Sequence, residues 1–178
     1  MVISDSRAAT AAVEAGDADV GFVGERPGSG SLKATPVAQD ELALVVGAKH
    51  PWAKKGSATL KQLREESMIV REPGSASRRC VERALEECGT APADLSISME
   101  VNNNGAIRAA VERGAGVAFL SMREDRQNVG LVRVKVRGFH PRRQLYMIRD
   151  ARRMQRSPAR EFLAFVERWR KGRGKTHR

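Results

Sequence analysis

The chain has 178 residues, 41 % of them apolar, which suffices for one full-sized domain or two small lobes and excludes a wholly disordered polypeptide. Its formal charge of +11 is unevenly placed: residues 1–130 carry 16 Lys and Arg against 18 Asp and Glu, a net of −2, and residues 131–178 carry 16 against 3, a net of +13. No apolar run approaches the roughly 20 residues of a membrane span, and the opening MVISDSRAAT lacks the basic start and apolar stretch of a secretion signal, so no membrane contact and a cytoplasmic location are expected.

In chain order, VIS (2–4) reads as a strand, and Asp5 or Ser6 as the cap of a helix, RAATAAVEAG, that stops at Gly16. DVGFVG (19–24) is a second strand, followed by a flexible Gly-, Ser- and Pro-rich stretch at 25–31. A long strand centred on ELALVV (41–46) closes in a proline turn; LKQLREE (60–66) is a short helix and MIVRE (68–72) a strand. Residues 75–88 form a helix ending near Gly89, and SISMEV (96–101) a strand. NNNGAIRAAVERGAG (102–116) is an Asn-capped helix with Gly114 past its end, and VAFLS (117–121) another strand. LVRVKV (131–136) and QLYMIRD (144–150) are late strands. Ser157-Pro158 opens a final helix whose Phe162, Phe165, Val166 and Trp169 form one stripe, expected to pack into the core. RWRKGRGKTHR then reads as a solvated basic tail capable of non-specific contact with nucleic acid. Strand, helix and strand repeated in this way predict an α/β fold with mostly parallel sheets.

Catalytic chemistry is hard to find. The three histidines, His50, His140 and His177, have no neighbouring serine or cysteine in a nucleophile motif, and GxSxG, GxxxxGK[ST] and CxxC are all missing. Cys80 and Cys88 lie eight apart on one predicted helix, about 12 Å along its axis, too far for a disulfide within it. Without histidines nearby they make no zinc set, and both read as small core or semi-buried residues. No catalytic residue, metal ligand or cofactor site is therefore assigned. Three helix starts that each follow a strand remain: Asp5-Ser6, Gly74-Ser75-Ala76-Ser77 and Asn102-Asn103-Asn104. Such starts carry unpaired N–H groups and partial positive charge, which suit a carboxylate, phosphate or sulfate, although the Gly74–Ser77 turn taken alone reads first as a plain cap with no guest.

The series GDADVGFVG, PVAQDELALVVGAKHPWA, MIVREPGSASRR, VNNNGAIRAAVERGAGVAFLS, RRQLYMIRD and the SPAREFLAFV helix resembles the effector-binding domain of LysR-type transcriptional regulators. The likeness in order and spacing runs over about residues 2–170. It implies a two-lobe fold like that of type II periplasmic binding proteins. Lobe I would be residues 1–39 and 150–178, lobe II residues 40–149, with a small-molecule site between lobes and ELALVV and QLYMIRD as crossing strands. It also implies a small anionic effector lined by Ser6, Gly24, Gly74, Ser75, Ser77 and Asn103, with Arg78 as a further candidate, and lobe closure as the signal.

The chain departs from the family in lacking the winged helix-turn-helix and what resembles the first strand and helix of lobe I. The loop between residues 122 and 130 is also shorter than usual. From these departures follow expectations of no specific DNA contact by this chain alone, a homodimer or pairing with an intact regulator, and a lobe I less stable than lobe II. A solute-binding protein of a transporter shares the fold and is the alternative; an enzyme on the same scaffold would have no better candidate than Asp5.

Overall fold

A computed structural model describes residues 2–28, 30–121, 130–154 and 156–173, residues 171–173 by backbone only. Its elements in order are α1 (Ser6–Ala15), β1 (Gly21–Val23), β2 (Leu32–Gly47), α2 (Pro51–Lys55), β3 (Ser57–Ala58), α3 (Leu60–Arg64), β4 (Met68–Arg71), α4 (Ala76–Glu87), a 3₁₀ turn (Pro92–Asp94), β5 (Ile97–Val101), α5 (Asn104–Glu112), β6 (Ala118–Ser121), β7 (Leu131–Val136), β8 (Arg142–Asp150) and α6 (Ser157–Arg173). They fall into two compact units: unit 1 is Met1–Gln39 with Gln144–Arg178, and unit 2 is Asp40–Arg143. The chain passes from one to the other within β2 and returns within β8.

In unit 1, β1 pairs antiparallel with β8, Gly21 opposite Ile148 and Val23 opposite Tyr146. The Asp5 carboxylate starts α1 by accepting from the N–H groups of Arg7 (2.8 Å) and Ala8 (2.9 Å). Gly16, at φ 87°, ends it, with Gly16 N–H donating to Val13 O and Asp17 N–H to Ala12 O. Val13, Val23, Leu32 and Ile148 form the small core of this unit.

In unit 2, the second half of β2 lies between β6 (Leu42 opposite Ser121) and β7 (Leu44 opposite Val134), antiparallel to both. The short β3 is parallel to β7, and β4 is parallel to β5. Ile69 N–H also donates to Val117 O, and Val117 N–H to Ser67 O, so β4 is bonded on both sides. The run Leu44–Gly47 is buried on both faces, which fits its continuous apolar sequence. Helix α4 buries Ala76, Cys80, Val81 and Leu85, one stripe at helical spacing, and α5 buries Ile107 and Val111. Thr59 and Gln62 form a reciprocal capping box at α3.

Four expectations change. The sheets are mixed, but with more antiparallel pairing than the strand–helix alternation implied, because β2 and β8 run through both units and meet their neighbours head to tail. Residues 2–4 form no strand, and Val2 and Ile3 are each 89 % exposed. Apolar character alone does not make a strand without a paired neighbour. Of the α6 stripe only Val166 is buried; Phe162, Phe165 and Trp169 are 38–54 % exposed. A spacing of three and four shows that residues share a face, not what covers that face. Cys80 is buried but Cys88 is exposed, at the end of α4 where the helix turns out of the core. The loop spanning 122–129 and the tail beyond residue 173 lie outside the described residues. Among the described residues no helix is long and apolar enough to cross a membrane.

Candidate functional site

In unit 1 the structure brings Ser6 and Gly24 together. Ser6 opens α1, and its Oγ accepts a hydrogen bond from Gly24 N–H at 3.1 Å, tying the helix start to the end of β1. The hydroxyl keeps its own proton for donation. The Arg7 and Ala8 N–H groups of this helix start are already taken by the Asp5 carboxylate, whose charge offsets the positive helix end, so what unit 1 offers there is a hydroxyl.

In unit 2 the parallel pair β4 and β5 ends at Arg71 opposite Val101, and each strand leads straight into a helix, α4 or α5. Two helix starts thus stand side by side at the carboxyl ends of adjacent parallel strands, the usual place for a ligand in an α/β sheet. Arg71 bridges them: Nη1 donates to Asn104 Oδ1 (2.7 Å), Nη2 to Asn102 O (3.4 Å), and Nε to Glu72 (2.7 Å). Asn103 caps α5, its Oδ1 accepting from Ala106 N–H at 2.7 Å, and is exposed.

The start of α4 is built differently. Gly74 is buried in the turn before it. Ser75 holds the cap position with φ −78° and ψ 123°, but its side chain makes no capping bond. The residue is 3 % exposed, and its backbone is satisfied by Glu72 O and Arg79 N–H. Its hydroxyl therefore stands buried at a helix start with no hydrogen-bond partner among the described residues, a costly position for a polar group that nothing meets. Ser77, the second residue of α4, does not cap either; its Oγ accepts from Arg143 Nη1 at 2.8 Å.

Arg143 and Asp40 carry no motif and were not predicted. The Asp40 side chain is 1 % exposed and that of Arg143 16 %. Arg143 Nε and Nη2 both donate to Asp40 Oδ2 (2.9 and 2.8 Å), and Ser121 Oγ donates to Asp40 Oδ1 at 2.7 Å. The same arginine opposes the burial that pushes the Cys80 thiol pKa up. The signal that could have found the pair is the polar interruption QDE at the head of an apolar strand, matched by PRRQ at the head of the late one.

Arg78 is committed elsewhere: it donates to Glu82 (2.7 Å), Glu100 (2.6 Å) and Arg71 O (3.0 Å). Desolvation would lower its pKa, but the bonds to Glu82 and Glu100 outweigh that and hold it above its ordinary value. Among the described residues no group of His, Cys, Asp and Glu has the makings of a metal site.

Two mixed α/β units joined by two strands, with helix starts at parallel strand ends, have the fold of type II periplasmic binding proteins. The pattern of the LysR substrate binding domain matches residues 1–171, and the chain belongs to that family. The family comprises effector-binding domains of transcriptional regulators, which is not an enzyme class. The HTH-type transcriptional regulator MJ0300 of Methanocaldococcus jannaschii is 31 % identical over 169 residues, 93 % of this chain and 57 % of that protein. CmpR, an HTH-type transcriptional activator of Synechocystis, is 27 % identical over 151 residues, 83 % of this chain and 49 % of its own length. The chain thus spans about half the length of these curated relatives. Among solved structures, the regulatory domain of Synechocystis CcmR in complex with 2-PG superposes at a TM-score of 0.82 with 22 % identity, covering 94 % of this chain and 80 % of that one. The effector-binding domain of QuiR in complex with shikimate superposes at 0.84 with 17 % identity, covering 94 % and 79 %.

Proposed function

We propose that this chain binds a small anionic metabolite through helix-start N–H groups and hydroxyls, and does not transform it. The observation that carries this reading is Ser75: a buried hydroxyl at the start of a 12-residue helix, lacking a partner among the described residues. Such a group is satisfied by a guest acceptor, and the partial positive charge of the helix start favours an anion. Gly74, Ser77 and Asn103 belong to the same unit-2 set, and Ser6 with Gly24 forms the unit-1 set. The effector-binding domain of QuiR in complex with shikimate, a carboxylate, supports the same ligand class here.

In a LysR-type regulator the bound anion favours one arrangement of the domain over another, and that population shift reaches DNA-reading modules. This chain serves as the sensing part, in the cytoplasm with the DNA, as a homodimer or paired with an intact regulator. Any contact between its basic C-terminal quarter and nucleic acid is electrostatic and salt-dependent. No nucleophile with a base stands at these helix starts, which favours binding without turnover, and the regulator family favours this reading over a transporter's solute-binding protein.

A thermal-shift titration with sulfate, inorganic phosphate and shikimate tests the reading. At a hundredfold excess over Kd a bound ligand adds about 2.7 kcal/mol, which for a chain of this size raises Tm by roughly 5–10 °C. Ser75→Ala should not lower the unliganded Tm, since its hydroxyl has no partner to lose and its burial costs free energy, and should cut the ligand-induced rise. No shift with any of the three anions contradicts the proposal.

A further inference from the structure

The helix start of α4 carries only partial charge, and Arg78, the cation that its sequence position recommends, is paired with two carboxylates, Glu82 and Glu100. A full positive charge nevertheless reaches this helix from elsewhere. Arg143, the last residue of unit 2, places Nη1 on Ser77 Oγ in the first turn of α4, two residues from the buried hydroxyl of Ser75. The guanidinium cannot wander, because Asp40 grips its Nε and Nη2, and Asp40 is held in turn by Ser121. Of the five N–H groups of an arginine, these bonds use three, leaving one on each terminal nitrogen among the described residues. Those two are the donors that a second carboxylate or a phosphate could engage.

We propose that Arg143 is the charged ligand-binding residue of the α4 half-site, and that Asp40 is its positioning partner and sets the charge the site accepts. The inference rests on the small-anion reading above and deepens it. With Asp40 ionised the empty cluster is neutral, so the guest anion meets a guanidinium that is pre-oriented but half neutralised. Asp40 therefore does two opposite things: it aims Arg143 at the helix start, and its own charge weakens the attraction for a guest. Replacing it by Asn separates these effects. Asn Oδ1 still accepts from the arginine and Nδ2 can donate to Ser121, while the opposing charge is gone.

Isothermal titration of the wild type, R143Q, R143K and D40N with sulfate, inorganic phosphate and shikimate, each variant first shown to be folded by circular dichroism, tests the proposal. The anion that binds the wild type should bind R143Q at least tenfold more weakly, the scale of a lost charge-assisted hydrogen bond. R143K should fall between, having charge but no fork. D40N should bind at least threefold more tightly. That gain separates the proposal from a purely structural pair, for which D40N weakens binding by loosening Ser77. A folded R143Q that binds within twofold of the wild type overturns the inference and leaves the small-anion reading standing. A wild type that binds none of the three anions overturns that reading, and the inference with it. Should R143Q not fold, the sign of the D40N change decides alone: binding no tighter than the wild type overturns the proposal.

Discussion

Asp150 shows how one buried side chain ties distant chain segments together. Its side chain is 3 % exposed, accepts from Arg152 N–H and Nε and from Arg152 Nη2, and pairs with Arg153, whose own Nη2 donates to Glu14 O and Ala15 O at the end of α1. The side-chain bond from Arg152, with its backbone bond and charge, lowers the Asp150 pKa from 3.8 to about 2. A folded-state pKa below the unfolded value means that the carboxylate's contribution is complete above the unfolded pKa and disappears as pH falls through the folded one. Stability should therefore drop between about pH 4 and pH 2 in part because Asp150 protonates, and D150N should flatten that part of the curve when denaturant midpoints are compared at each pH. An unchanged slope in D150N would show that Asp150 is not the titrating group. Residues of this kind were invisible in the sequence. RDARR reads only as part of a basic stretch, just as Asp40 and Arg143 read only as strand ends. Capping residues such as Asp5 and Asn103 were legible, because they act on neighbours two or three residues away. Ser75 was legible in position but not in state: the sequence marks it as a cap, and only the structure shows a cap that bonds nothing.

Among the elements, the ones the sequence placed best are those whose partners are local or whose apolar run is long. Helix α4 was expected at 75–88 and lies at Ala76–Glu87; the strand expected at 131–136 is β7, Leu131–Val136. Pairing was less legible, because the long strands β2 and β8 say nothing of which neighbour each meets along its length. The junction of β4 with residues 116–118 illustrates what pairing adds. Val117 N–H donates to Ser67 O at 2.8 Å, and the preceding Gly116 lies so close that a Cβ there would sit 2.5 Å from the same carbonyl. That carbonyl is fixed backbone and cannot swing aside. Gly116→Ala should therefore destabilise the chain by about 1–3 kcal/mol, the range for forcing atoms into a packed interior, as read from a urea midpoint with unchanged m-value. Gly114→Ala is the contrasting case: its Cβ would meet nothing within 4 Å, so the cost there comes from φ 81° alone, about 1 kcal/mol. Equal losses at the two positions would show that the close approach to Ser67 O carries no weight.

For the whole molecule, the two units differ in how much they bury. Unit 2 holds two apolar clusters, one around Leu42, Leu63, Met68 and Leu85 and one around Ile69, Ile107 and Val111. The cluster of unit 1 is Val13, Val23, Leu32 and Ile148, while Phe22, Phe162, Phe165 and Trp169 leave 38–54 % of their surface in water. Each fully buried side chain of this size is worth about 1.5–3 kcal/mol, so local opening should be easier in unit 1. Hydrogen exchange should find the slowest amides in Leu44–Val46 and Ala118–Leu120 and faster exchange in α1 and β1. Equal protection of residues 2–24 and 67–121 would contradict this ranking. The sequence carried the family through the order and spacing of its segments, and the match over residues 1–171 places it there. It misjudged the α6 stripe, because amphipathic spacing is a property of the chain and burial is a property of what surrounds it.

An anion bound at the start of α4 changes the shielding of the amides around it, which chemical shifts report. In ¹⁵N–¹H spectra recorded while sulfate, inorganic phosphate or shikimate is added at constant ionic strength, saturable shifts should be largest at Ser75, Ala76, Ser77 and Arg78, with smaller ones at Asn104–Ala106. Shifts confined to the basic residues after 150, or none that saturate, would contradict binding at that helix start.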